Sequence, residues 1–219
     1  MNRSPNFGPR RDGLRPELVV LHYTAMASCA AAERALCDPV REVSAHYLIS
    51  EAGEVLPLVA EDMRAWHAGE GAWGGRGDVN SRSIGIELSN TGLTPFAAPQ
   101  MAALEALLPG ILTRWQIRPE GVIAHSDMAP GRKIDPGPRF DWLRLARQGL
   151  SVWPDPRDLV PDWPRFRADA ACFGYPDMAD DHLLTTLRLR FRPRHTGPLD
   201  ARDMGLMADL AARFPARRA

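Results

Sequence analysis

Gly121-Val122-Ile123-Ala124-His125-Ser126-Asp127-Met128-Ala129-Pro130-Gly131-Arg132-Lys133-Ile134-Asp135-Pro136-Gly137-Pro138 is the stretch that decides the fold of this chain. Its first four residues form a short apolar run, the end of a buried strand. His125 therefore stands at a strand's carboxyl end. The loop that follows is restricted, because Pro fixes φ and Gly opens conformations closed to other residues. It carries Lys133 and Asp135. His125 and Asp135 are both ligand types for a borderline metal such as zinc. Lys133 is the only lysine in a chain whose other cationic side chains are Arg. That choice suits a site needing a compact ammonium rather than a planar fork. A charged loop with a half-buried histidine would look the same, so a second histidine in matching context has to decide.

Leu18-Val19-Val20-Leu21-His22-Tyr23 supplies it: an apolar run of strand length, with His22 near its end. A helix follows over roughly Cys29 to Leu36. Two such strand ends can lie side by side in one sheet, and ligands gather at the carboxyl ends of α/β strands.

Ser83-Ile84-Gly85-Ile86-Glu87-Leu88-Ser89-Asn90 alternates and reads as a further strand. Ile84, Ile86 and Leu88 make it mostly buried, and a carboxylate there needs a partner or a task. Beside a metal, Glu87 can act as general base; an ion pair with an Arg is the structural alternative. Val43 to Ser50 and Val55 to Val59 read as strands joined by a turn at Gly53, with Pro57 marking an edge. His46 then lies within a strand, more in keeping with a core histidine than a ligand. Glu61 to Ala65 is expected to form one helical turn. Trp66-His67-Ala68-Gly69 and the Gly-rich segment with Trp73 suggest a groove wall, or a surface loop with one Trp tucked in.

Pro99 to Trp115 is the clearest helix, with Met101, Leu104, Leu107, Leu108, Ile111, Leu112 and Trp115 on one stripe and Pro109-Gly110 predicting a kink or break. Phe140 to Gly149 reads as another helix. A proline-rich linker over 153–164 precedes three helical segments, Arg165 to Ala171, Met178 to Phe191 and Asp200 to Phe214, with Asp177 or Asp200 as caps. A module of about fifty residues is marginal alone and should dock on the main domain. Its basic run, Arg188 to His195, reads as a solvated face or a surface for an anionic polymer.

The 219 residues, 45% hydrophobic and 25% charged, suit a soluble chain of one medium domain with a small appendage. Zero formal net charge gives no bulk attraction to nucleic acid. No apolar run approaches the roughly 18 residues of a transmembrane helix. Three cysteines form no CxxC pair, and Cys29 and Cys37 are about 12 Å apart along their helix, too far for a disulfide. The polar N-terminus lacks a signal-like apolar segment, which points to the cytoplasm; an incomplete N-terminus would leave the periplasm or outer membrane open. No oligomeric state is indicated.

Taken in order, Leu21-His22-Tyr23-Thr24, Ser44 to Ile49, Trp66 to Gly69, Ser83 to Asn90 and His125 to Pro138 resemble the zinc N-acetylmuramoyl-L-alanine amidases, the type that includes AmpD, AmiD and peptidoglycan recognition proteins. The resemblance covers about residues 16 to 149. It implies an α/β fold, a mixed central β-sheet flanked by helices, with a catalytic domain over 1–152. Leu187 to Pro193 and Gly197 to Asp200 are similar to the three-helix peptidoglycan-binding module that follows the AmiD catalytic domain, here 165–219. The resemblance further implies Zn2+ held by His22, His125 and Asp135, catalysis by Glu87 and Lys133, and peptidoglycan or anhydro-muropeptides as substrate. His67, Trp66, Trp73 and Asn90 become candidates for the substrate groove, with His46 supporting from behind. A non-catalytic recognition protein of the same fold is the alternative, although such proteins typically lose a zinc ligand.

Overall fold

The structure is a computed structural model that describes residues 3–216. Its strands are β1 (Phe7–Pro9), β2 (Leu18–Tyr23), β3 (Tyr47–Ile49), β4 (Val55–Pro57), β5 (Met63–Ala65), β6 (Ser83–Leu88) and β7 (Val122–Ala124). Its helices are α1 (Cys29–Leu36), α2 (Val79–Arg82), α3 (Ala98–Trp115), α4 (His125–Met128), α5 (Trp142–Arg147), α6 (Trp163–Phe173), α7 (Asp180–Phe191) and α8 (Ala201–Arg213). The central sheet has the order β4-β3-β6-β2-β7. The pairs β3–β6, β6–β2 and β2–β7 are parallel, and β4 closes one edge antiparallel to β3. This is the mixed α/β architecture the sequence predicts.

Side-chain alternation gives the sheet two different faces. Val19, Leu21, Ile84, Ile86 and Leu88 join Met101, Leu104, Leu108 and Ile111 of α3 in one core. Leu18, Val20 and Ile123 turn the other way, into a core shared with Phe166, Leu187 and Leu210 of the C-terminal helices. The helical tail thus forms the second cover layer of the sheet. Each buried Leu or Phe in that shared layer contributes about 1.5–3 kcal/mol. His22 continues the Leu18–Val20 face to the end of β2.

Several local expectations meet a different outcome. Residues 61–65 do not form a helical turn; Met63–Ala65 pairs as β5 with β1. The strand expected from Val43 begins only at Tyr47. Before it, Ser44 N–H bonds to the Trp66 carbonyl and His46 N–H to the Gly85 carbonyl. Helix α3 is not broken at Pro109, which is exposed. On that side water can meet the carbonyl that lacks its N–H partner. Asp200 caps α8 as expected, accepting from the Asp203 amide at 2.9 Å, whereas α7 follows Ala179 and Asp177 caps nothing.

Within the basic run Arg188 and Arg190 do not face solvent, whereas Arg194 and His195 are exposed. Arg188 is 7% and Arg190 2% exposed. Arg188 pairs with Asp203 and Arg192 with Asp200 and Asp203. Arg190 crosses into the main domain: it bonds to Asp127 at 2.5 Å, to the Val122 carbonyl and to Ser151 Oγ, and lies 4.1 Å over the Trp142 ring. The three cysteines are free thiols. Among the described residues no helix is long and apolar enough to cross a membrane.

Candidate active site

Parallel pairing fixes the site. His22 on β2 stands in register with Glu87 on β6, and Leu21 with Ala124, the residue before His125. Three adjacent strand ends therefore deliver His22, Glu87 and His125 to one edge of the sheet. The loop after α4 returns Asp135, anchored by Ser126 N–H to the Asp135 carbonyl at 3.0 Å.

His22 Nδ1, His125 Nδ1 and Asp135 Oδ2 form a triangle with edges of 2.9, 3.0 and 2.9 Å. All three residues are buried. His125 Nε2 donates to the Ala68 carbonyl at 2.9 Å, so its Nδ1 carries a lone pair. Two imidazole lone pairs and a carboxylate oxygen thus converge without a proton to share among all of them. Buried acceptors facing one another repel unless a cation sits between them. Tetrahedral donors on a metal with bonds of about 2.0 Å lie about 3.3 Å apart, close to the edges here. The donor set fits a divalent ion such as zinc.

Charges follow burial. Desolvation, then neighbouring His125, lowers the His22 imidazole to about 4. Burial, reinforced by Asp135 and offset in part by Lys133, pushes the Glu87 carboxyl up to about 8. Glu87 Oε2 is shielded from water and has no hydrogen-bond partner. A carboxyl group left so near neutrality, beside a cation-seeking triangle, is equipped to exchange protons.

A cleft of about 530 Å³ opens over these groups. Lys133, Trp66 and His67 line it, together with Arg41 and Arg132, which the sequence reading passed over. Met26 and Leu36 give it an apolar wall. His67 turns its Nδ1 to His22 Nε2 at 3.0 Å. His46 is fully buried behind the site, where its Nδ1 accepts from Gly85 N–H.

Two groove candidates lie elsewhere. Trp73 is 4% exposed and packs edge-on against Phe173 and Tyr175, with ring centroids 5.3 and 5.5 Å away. Its large apolar ring covers the seam between sheet and tail rather than a sugar. Asn90 is 6% exposed and folds its own loop, accepting from Gly92 N–H and donating to the Thr94 and Pro95 carbonyls. A second cluster, His195, Asp200 and Asp203, could nominally hold a metal, but Arg192 already neutralises both of its carboxylates.

A parallel sheet whose strand ends carry a His-His-Asp triangle and a partnerless carboxyl group, under an open cleft, has the donor set of a single-metal hydrolase. The sequence profile of the N-acetylmuramoyl-L-alanine amidase family matches residues 12–138, and the chain belongs to that family. It is 35% identical to N-acetylmuramoyl-L-alanine amidase AmiD of Escherichia coli K12, over 91% of this chain and 84% of that one. The structure of E. coli AmiD in complex with the substrate anhydro-N-acetylmuramic acid-L-Ala-D-gamma-Glu-L-Lys superposes with a TM-score of 0.84 at 33% identity, covering 93% of this chain and 92% of that one. AmpDh3 from Pseudomonas aeruginosa gives 0.85 at 32% identity, covering 94% and 95%.

Proposed function

We propose that this protein is a zinc-dependent amidase that cleaves the bond between N-acetylmuramic acid and L-alanine in peptidoglycan fragments. The observation that carries the proposal is the balance of the buried cluster: three convergent acceptors with a partnerless carboxyl group alongside. Zinc held by His22, His125 and Asp135 would supply Lewis acidity, polarising the scissile carbonyl and acidifying water. Glu87 then takes the proton of the attacking water at Oε2 and passes it to the departing amine. Lys133 offers its ammonium to the oxygen that gains charge in the tetrahedral state. No covalent intermediate with the protein is needed.

Arg41, Arg132 and Lys133 give the cleft a cationic lining. Stem peptides carry carboxylates, so that lining favours a muropeptide over a neutral glycan. The complex of AmiD with an anhydro-muramyl peptide supports the soluble fragment as ligand. We assign catalysis to 1–152, connection to 153–164 and bracing of the sheet to the helices from 165 onward.

The test is digestion of isolated 1,6-anhydro-muropeptides and of intact sacculi, with products read by mass spectrometry. Free stem peptide with L-alanine at its new amino end is the expected product. Cleavage between amino acids would contradict the assignment, as would tight binding without cleavage in the presence of zinc.

A further inference from the structure

His22 and His125 both present Nδ1 to the centre of the triangle. For each, the proton must therefore reside on Nε2, and something must hold it there. For His125 the holder is the Ala68 carbonyl. For His22 the contact is another imidazole, His67 Nδ1, and an imidazole nitrogen can either donate or accept.

The neighbours of His67 settle the direction. Ser83 Oγ lies 2.6 Å from the Val79 carbonyl and 3.1 Å from His67 Nε2. A carbonyl only accepts, so the single hydroxyl proton of Ser83 goes to Val79. Ser83 must then accept from His67 Nε2–H. That leaves Nδ1 of neutral His67 as an acceptor, and His22 Nε2–H donates to it. The chain of donors runs one way: His22 to His67 to Ser83 to the Val79 carbonyl. Reversal would press two acceptors together at 2.6 Å.

The fold is shaped to admit this ring. A Cβ on Gly85 would come within 2.4 Å of His67 Cγ, so only glycine at that point of β6 lets the imidazole lie on the strand. Glycine inside a strand marks such a close approach. The His67 and Ala68 amides both donate to Asn80 Oδ1, at 3.0 and 2.8 Å. One clamped segment thus serves both histidines, through the side chain of residue 67 and the carbonyl of residue 68.

We propose that His67 is a positioning residue: it fixes the Nε2–H tautomer of His22, and so aims His22 Nδ1 at the metal, rather than binding substrate. This rests on the His22–His125–Asp135 triangle being the metal centre. Three variants separate the roles of His67. His67→Asn keeps an acceptor in the Nδ1 position, His67→Phe keeps a ring without one, and Ser83→Ala cuts the chain one step away. Zinc dissociation constants are measured by competition with a fluorescent chelator, and the His22 tautomer is read from 15N chemical shifts in metal-free protein. His67→Phe should weaken zinc about 10–100-fold, the usual effect of losing such an outer partner. His67→Asn should stay within about threefold of the parent, and Ser83→Ala should fall between them and show a mixed His22 tautomer, since one link of the same relay is lost. Equal affinities for Phe and Asn variants, whether both intact or both weak, would overturn the acceptor role. So would an Nδ1–H His22 in the unsubstituted protein. If that protein binds no zinc at all, the metal reading itself fails, a result distinct from unchanged affinity in the variants.

Discussion

Two buried polar clusters serve the same short turn, α4. Asp127 belongs to one, and His125, two residues earlier, to the other. Asp127 Oδ2 accepts from the Ala124 amide and from Arg190, and its Oδ1 from the Tyr175 hydroxyl at 3.2 Å. Its charge is matched by a guanidinium that is itself 2% exposed, with only Arg190 Nε left unpaired. The His125 cluster has the opposite character. Acceptors outnumber donors, and Glu87 Oε2 has no partner. Both are largely hidden from water, although the second lines the cleft, so burial alone does not distinguish structure from chemistry. Balance does: the satisfied cluster holds the fold together, and the unsatisfied one asks for a cation and a substrate.

The comparison predicts different failures on the two sides. On the chemical side, Glu87→Gln removes the proton carrier while leaving the triangle intact. Steady-state kinetics should show kcat lowered about 10²–10⁴-fold with zinc still bound. Retention of kcat would assign the proton transfer to another group. On the structural side, Arg190→Met strands the Asp127 carboxylate in the core. Urea unfolding should report a loss of about 3–5 kcal/mol. The double variant with Asp127→Leu should recover part of it, because both charges are then gone; failure to recover would mean that the helical tail is held by packing alone. Trp73→Phe should cost stability with no change in KM, since Trp73 lies in the seam and not in the cleft. A raised KM would return it to the groove.

The smallest effect is a pH dependence of metal-free protein. Burial lowers His22 to about 4 and His46 to about 3, and holds His67 well below its ordinary value. Each takes up a proton on unfolding below about pH 6.5, so each stabilises the fold less as pH falls. Glu87 acts the other way, because burial raises its carboxyl to about 8 and the folded state holds the proton that the unfolded state releases. Three groups oppose one between about pH 4.5 and 6.5, each worth about 1.4 kcal/mol per pH unit. Chelated protein should therefore lose stability from pH 6.5 to 5.5 in urea melts. A flat profile would mean that these imidazoles are not neutral and buried.

Much of the site was legible because it obeys local rules. An apolar run ending in His22, another ending in His125, and an acidic residue in an otherwise apolar alternation each carry their signal within a few residues. Sheet periodicity explains why Glu87 falls on the face of Gly85 and Ser83 rather than that of Ile86. What stayed hidden depends on distant partners. Nothing near Arg190 announces Asp127, 63 residues away, so a buried arginine looked like a basic surface run. Trp73 had the composition of a groove wall, but Phe173 and Tyr175 claimed it. The role proposed for His67 depends on Ser83 and Val79, which its own segment does not contain; Gly85 in mid-strand is the one local sign that a bulky ring lies against the backbone.

The most direct test is calorimetric titration of zinc into metal-free protein and into Asp135→Ala. One ion per chain, bound tightly by the first and lost in the second while Arg190→Met keeps its stoichiometry, is the result expected of an unbalanced cluster that serves as a metal centre. Absence of binding to the unsubstituted protein, or equal binding to Asp135→Ala, would contradict it.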